Sequence, residues 1–298
     1  MSTESVPLAR ERERAGQGAL PLGAAAVPLV RATPSRLAAF ADCPRRYRMT
    51  YLDRPAPTPR AWAHQSLGAA VHLALARFWT LPAGRRSTRA TGDLLDAAWS
   101  DGGFRDGAQS TRWRRRARHW VETYVARLDG RAEPAGVERT VAVRTPVLAL
   151  SGRIDRLDDR DGVLVVVDYK TGRRGPTADD ARTSPALALY AHAAAATLRR
   201  PCLRVELHDV RTGEVVGHEH SVSSLARQLR RADDIGLDIR TATGAHRAGG
   251  DPDVSFPPAP SALCGWCDFR ALCPAGAQAS APRPAWDGLG DEDGEGEL

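Results

Sequence analysis

Val163-Leu164-Val165-Val166-Val167-Asp168-Tyr169-Lys170-Thr171-Gly172 is an apolar run that ends in Asp-x-Lys and a turn. The run predicts a strand, and side chains alternate along a strand. Asp168 and Lys170 therefore share one face and Tyr169 takes the other. Lys170 is the only lysine; every other member of the 42 basic residues is arginine. Such a bias fits sites where the two residues are interchangeable. They are not interchangeable where a compact ammonium works beside a carboxylate, because guanidinium is planar, bulky and never deprotonated. The exception points to chemistry.

Upstream, Val147 to Leu157 reads as a second strand, and Asp158-Asp159-Arg160-Asp161-Gly162 as a hairpin turn between the two. Asp155, within Gly152-Arg153-Ile154-Asp155-Arg156, stands thirteen residues before Asp168. The hairpin can bring both carboxylates to one sheet edge. Two close carboxylates stay ionised only with a cation between them, and hard oxygen donors suit Mg2+ or Mn2+. Such an ion lowers the pKa of a bound water and offsets charge building on phosphorus. Lys170 would orient that water or neutralise the transition state. The plainer alternative is a surface ladder of salt bridges with Lys170 in a solvated turn.

Further out, Thr33-Pro34-Ser35 looks like a helix start, with Thr33 as the cap. Helices are expected over His64 to Trp79, 88–99, 108–129, Asp179 to Leu198, and Ser221 to about Thr243. Val137 to Arg144, Leu203 to Val210 and Val215 to His220 alternate as strands. This order implies an α/β fold, a mixed sheet core flanked by helices with a helical N-terminal elaboration. The expected division is a disordered leader (1–32), a domain (33–274) and a disordered acidic tail (275–298). Within the domain, 33–130 is helical, 131–248 is the α/β core, and 249–274 is a cysteine segment.

No apolar run approaches the length of a membrane span, and the N-terminus lacks a signal-peptide core, so the chain reads as cytoplasmic. Charge is unevenly placed. The formal net charge is +6, yet Asp287, Asp291, Glu292, Asp293, Glu295 and Glu297 crowd the last residues with no base among them. The body is strongly basic. Arg112-Trp113-Arg114-Arg115-Arg116-Ala117-Arg118-His119-Trp120 falls on an expected helix. Its arginines, Arg114 and Arg115 among them, suit phosphates, and its tryptophans suit unstacked bases. The same segment also reads as a solvated helix face with tryptophans in the core.

Of five cysteines, Cys264-Gly265-Trp266-Cys267 and Cys273 cluster late, and Cys43 lies far upstream; Cys202 falls in a strand pattern. Thiolates at this spacing select zinc or an iron–sulfur cluster rather than disulfides. Either centre would staple the two ends of the domain together.

Taken together, Asp155 and Asp168-Tyr169-Lys170-Thr171-Gly172 resemble the core of the PD-(D/E)XK nucleases, in the form found in RecB-like exonucleases. Ser35-Arg36-Leu37 with Cys43-Pro44-Arg45-Arg46-Tyr47 resembles the family's N-terminal cysteine motif. Gly68-Ala69-Ala70-Val71-His72 resembles its Gly-x-x-x-His motif, and Gly152 to Arg156 its Gly-x-x-Asp-Arg signature. The three late cysteines are similar to the set that, with the early one, holds a 4Fe–4S cluster in AddB-type and CRISPR-associated exonucleases. The resemblance implies a restriction-endonuclease-like fold with an Fe–S staple joining its ends. It implies a metal (Mg2+ or Mn2+) on His72, Asp155, Asp168 and the Tyr169 carbonyl, with Lys170, Asp168 and Asp155 catalytic. Cys43, Cys264, Cys267 and Cys273 would hold the cluster, with zinc as the alternative. Tyr190, Arg153, Arg156, Arg114 and Arg115 would contact the substrate. Glu138 is a further carboxylate on an expected strand.

The resemblance breaks at one position. The family continues with Gln-Leu-x-x-Tyr, whereas this chain has Ala186-Leu187-Ala188-Leu189-Tyr190. The expected activity is a metal-dependent DNA exonuclease acting on single-stranded ends in repair or recombination. The alternative is a catalytically weakened Fe–S module that binds DNA or a helicase. No Gly-x-x-x-x-Gly-Lys occurs, so any helicase motor is a separate chain.

Overall fold

The computed structural model describes residues 28–55 and 60–290. The expected leader up to residue 27 and the acidic residues from 291 onward lie outside the described residues.

In chain order, β1 (Val30–Ala32) leads into α1 (Pro34–Asp42) and α2 (Pro44–Arg48), continued by a π-helical turn. Next come α3 (Ala63–Thr80), α4 (Thr88–Ala98) and α5 (Gly107–Val125), then β2 (Gly136–Arg144), β3 (Leu148–Arg160) and β4 (Val163–Lys170). The second half holds α6 (Ala178–Thr183), α7 (Pro185–Leu198), β5 (Arg204–Asp209), β6 (Val215–Glu219), α8 (Val222–Arg247), α9 (Pro252–Ser255) and α10 (Pro274–Ala279).

Local signals start the helices. Thr33 accepts a hydrogen bond from Arg36 N ahead of α1, Asp106 from Gln109 N ahead of α5, and Ser221 from Ser224 N ahead of α8. Expectation and structure part at three places. Residues 30–32, assigned to the leader, form β1, because pairing with Leu148–Leu150 satisfies their backbone. The helix expected over 179–198 breaks at Ser184-Pro185. Proline has no N–H to continue a helix, and Ser184 instead caps α7 through Leu187 N. Residues 275–290, assigned to the disordered tail, form α10 and a turn at Asp287–Leu289 whose Leu289 is buried in the core.

The six strands form one mixed sheet, with β1, β3, β4, β5 and β6 in line and β2 on β3. β2 pairs antiparallel with one edge of β3 along Ala149–Leu157. The other edge is shared: β1 takes Leu148–Leu150 and β4 takes Arg156–Arg160. Between them, residues 151–155 of β3 have no strand partner on that edge among the described residues, and β4 peels away towards β5. This opening is where the candidate site lies.

Two cores sandwich the central strands. Val165, Val167 and Tyr169 face α3, α4 and α5, while Leu164 and Val166 face α7 and the start of α8. Burying each valine or leucine contributes about 1.5–3 kcal/mol. Among the described residues, no helix is long and apolar enough to cross a membrane.

Candidate active site

The last rung between β3 and β4 pairs Arg156 with Val167, and the next would set Asp155 against Asp168. There the strands splay, and the Tyr169 N–H donates not to a ladder carbonyl but to Asp155 Oδ2 at 2.9 Å. Asp155 thus satisfies an amide freed by the splay. His72, on α3, approaches the same oxygen with Nδ1 at 3.2 Å. Lys170 Nζ lies 2.6 Å from Asp168 Oδ2, an ion pair on a largely buried carboxylate. The structure therefore gathers His72, Asp155, Asp168 and Lys170 at the mouth of the splay, from one helix and two strands.

The electrostatics follow from this crowding. Burial, then the charge of Asp155, pushes the Asp168 carboxyl above the ordinary carboxylate range, against the pull of Lys170. Burial opposes a charge on His72, but the hydrogen bond and charge of Asp155 outweigh it and raise the imidazole above its usual value. Tyr190, on α7, is raised by burial and then by the charges of Asp168 and Asp155. Gly152 makes room for it: a Cβ there would stand 2.4 Å from Tyr190 Cε1. Ala186, where the family has glutamine, lies one turn earlier on α7.

Two carboxylates and an imidazole make a donor set that fits a hard divalent cation in kind. Among the described residues, however, no three His, Cys, Asp or Glu side chains surround a common point as they stand. His72 and Lys170 are instead turned onto the carboxylates themselves.

Tyr169 carries the site's support, which sequence reasoning missed. Its ring is buried on the helical side, edge-on to His72. Its hydroxyl accepts from Trp79 Nε1 at 3.1 Å and from Arg156 Nη1 at 3.3 Å. Arg156 also grips Asp158 with two bonds of 2.8 and 3.0 Å and lies over the Trp79 ring. Arg160 joins Asp158 to Glu206; Glu206 meets His208; and His208 meets the Tyr124 hydroxyl at 2.7 Å, which faces Arg156 in turn. A closed polar ring thus backs the strand that carries Asp168 and Lys170. Arg156 was expected to touch substrate; at 4% exposure, with every partner internal, it cannot. The Asp-Arg dipeptide was the available signal, since a carboxylate and an arginine on successive strand residues must face opposite ways.

The other expected contacts lie on the surface. Arg153 is 70% exposed and paired at 2.7 Å with Glu138, which sits at the register position opposite Asp155 with a φ of 48°. Arg114 and Arg115 are exposed on α5, Arg114 3.7 Å from Asp96. Trp113 is buried in the core, and Trp120 packs half-buried against it with Arg211 over its ring.

The four expected cluster cysteines share one cavity. Cys43, Cys264, Cys267 and Cys273 line one cavity of about 30 Å³, all with free thiols. Backbone amides point at the sulfurs: Arg46 N and Ala259 N at Cys43, Ser261 N at Cys264, and Gly276 N at Cys273.

The model of the PD-(D/E)XK nuclease superfamily matches residues 31–274 of the chain. Fourteen chains of solved structures also match. One is a crystal structure of a presumed exonuclease from Eubacterium rectale, 12% identical, covering 70% of this chain and 80% of that one at a TM-score of 0.44. No curated protein matches the chain.

Proposed function

Because the chain belongs to the PD-(D/E)XK nuclease superfamily, we propose that it is a divalent-metal-dependent DNA exonuclease of RecB-like type. It hydrolyses phosphodiester bonds at single-stranded ends during repair or recombination, with a separate helicase chain as partner. The observation that carries this reading is the meeting of Asp155, Asp168, His72 and the sole lysine where β4 leaves β3.

His72, Asp155, Asp168 and the Tyr169 carbonyl would hold Mg2+ or Mn2+. When bound, that ion would lower the pKa of a water and offset charge on the phosphate. The remaining work falls to the chain. Lys170, held beside Asp168, places an ammonium where charge accumulates on the phosphoryl oxygens. The polar ring fixes Tyr169, and so the spacing of Asp155 from Asp168. Tyr190 closes one side of the opening and can pack against a terminal sugar or base. Arg153, Arg114 and Arg115 offer exposed charge to the backbone.

The four cysteines are proposed to hold a 4Fe–4S cluster, supported by the amides directed at their sulfurs. Zinc is the alternative. Protein purified anaerobically separates them: a brown preparation that bleaches on reduction supports the cluster, and a colourless one containing zinc overturns it.

A second reading is favoured by Ala186: a weakened member that binds DNA without cutting it. End-labelled single- and double-stranded DNA incubated with Mg2+ or Mn2+ decides. Shortening by the native protein, lost in Lys170→Ala and on chelation, supports the nuclease. No shortening under either metal, or equal shortening by both proteins, overturns it.

A further inference from the structure

Away from the catalytic opening, a groove of about 500 Å³ lies between α6, β6 and the first half of α8. Arg182 lines it from α6, Arg227 and Arg231 from α8, and His218 and Glu219 from β6. Three guanidiniums thus face one carboxylate. Arg182 is 55% exposed and shares Asp179 at 3.1 Å. Arg227 and Arg231 make no ion pair among the described residues. They stand four apart on one helix, where like charges repel. On the same wall Gln228 has a buried amide oxygen without a donor.

The groove opens on the side of the sheet that carries Asp168. Asp168 alternates with Val166 and Leu164, which pack with Ala181 of α6 and Leu225 of α8. His218 lies level with Val205 and hence with Val166, two residues back from Asp168 and two strands across. At about 4.8 Å per strand spacing and 3.3 Å per residue, the separation in the sheet is on the order of 12 Å.

We propose that this groove is a second, non-catalytic subsite that binds the phosphodiester backbone of the DNA strand whose end occupies the catalytic opening. The identity of the strand rests on the nuclease reading. A DNA strand supplies anionic oxygens to the three arginines and a base N–H donor to the Gln228 amide oxygen. An anchor on the order of 12 Å from the catalytic opening raises residence on the strand without touching the reacting phosphate, so it acts on KM and not on kcat.

The test uses the full chain and a fluorescent single strand of about 20 nucleotides, longer than the usual site for one binding module. Anisotropy is read in EDTA, where no cleavage occurs. Arg227→Glu with Arg231→Glu is compared with the native protein and with Arg85→Glu/Arg89→Glu, an equal charge change on exposed residues elsewhere. The groove variant is expected to bind about tenfold or more weakly, with a salt slope lower by roughly one to two. The control should stay within about threefold, and melting temperatures should match. An unchanged Kd, or a loss no greater than in the control, overturns the proposal. So does a mononucleotide that binds the native protein and not the variant while the strand's Kd stays unmoved. In Mg2+ or Mn2+ the groove variant should keep kcat at saturating DNA and show a raised KM. A native protein that cuts nothing would strike the nuclease reading but leave the EDTA comparison standing.

Discussion

Gly152 on β3 and Tyr190 on α7 occupy one another's space: a Cβ on the glycine would lie 2.4 Å from the ring carbon Cε1 and 3.1 Å from Cδ1. The strand therefore needs a residue without a side chain where the helix lays its tyrosine over the catalytic opening. Gly152→Ala is expected to push Tyr190 aside and lower cleavage at least tenfold. In a Tyr190→Ala background the same change should cost little. A double-mutant cycle on cleavage rates checks this, and additive losses would refute the coupling.

Lys170 is 47% exposed on its side chain and pairs with Asp168. Lys170→Arg keeps the charge but spreads it over a planar fork, so the ion pair survives while the compact ammonium at the phosphate is lost. Cleavage should fall by about 10²–10³, with a melting temperature close to native. Activity near native in Lys170→Arg would show that any cation suffices there.

Arg156 is a buried cation with a forked bond to Asp158 and a bond to Tyr169. Removing one partner of such a pair leaves the other without compensation, at a cost of about 3 kcal/mol. Arg156→Met should lose stability on this scale in urea unfolding. Lys cannot reproduce the fork, and Arg156→Lys should recover less than half of the loss. Metal-dependent cleavage should weaken in both, because Tyr169 and its bond to Asp155 shift.

Acid should destabilise the protein through the same ring. Burial, aided by the charge of Arg156, holds His208 below its ordinary value of 6.5, so the unfolded chain binds the proton more readily. Its stabilisation is present above about pH 6.5 and is lost as pH falls through the folded value. Burial acts to raise Glu206, but its bonds from His208, Arg160 and Arg204 prevail and hold it well below 4.5, which adds a second loss below that pH. Melting temperatures should drop by roughly 2–4 °C for each kcal/mol lost. His208→Gln should flatten the decline between pH 7 and 5 and leave the lower one. A native protein with a flat profile from pH 7 to 4 would contradict the buried, neutral imidazole.

Much of this fold is legible one residue at a time. Thr33, Ser221 and the hairpin announce themselves because caps and turns depend on neighbours within four residues, although the turn expected over Asp158 to Gly162 is only Asp161-Gly162 and Asp158 to Arg160 continue β3 against Val163–Val165. The alternation of β4 shows which way Asp168, Tyr169 and Lys170 face. Ser184-Pro185 carried an equally local signal that splits α6 from α7, but the alanine-rich run around it hides the break.

The sequence by itself determined the superfamily, the two carboxylates and lysine on one hairpin, and the four cysteines, since these rest on spacing along the chain. Only the tertiary structure decided that Arg156 faces inward, that Trp113 belongs to the core, that Glu206, His208 and Tyr124 close a ring behind the site, and that Trp79 bonds to Tyr169. These residues come from α3, α5, β3, β4 and β5, and Trp79 reaches its tyrosine across 90 positions. Periodicity reports which face of its own element a side chain takes. It does not report which other element packs against that face, and burial, pairing and shifted proton affinities are set there.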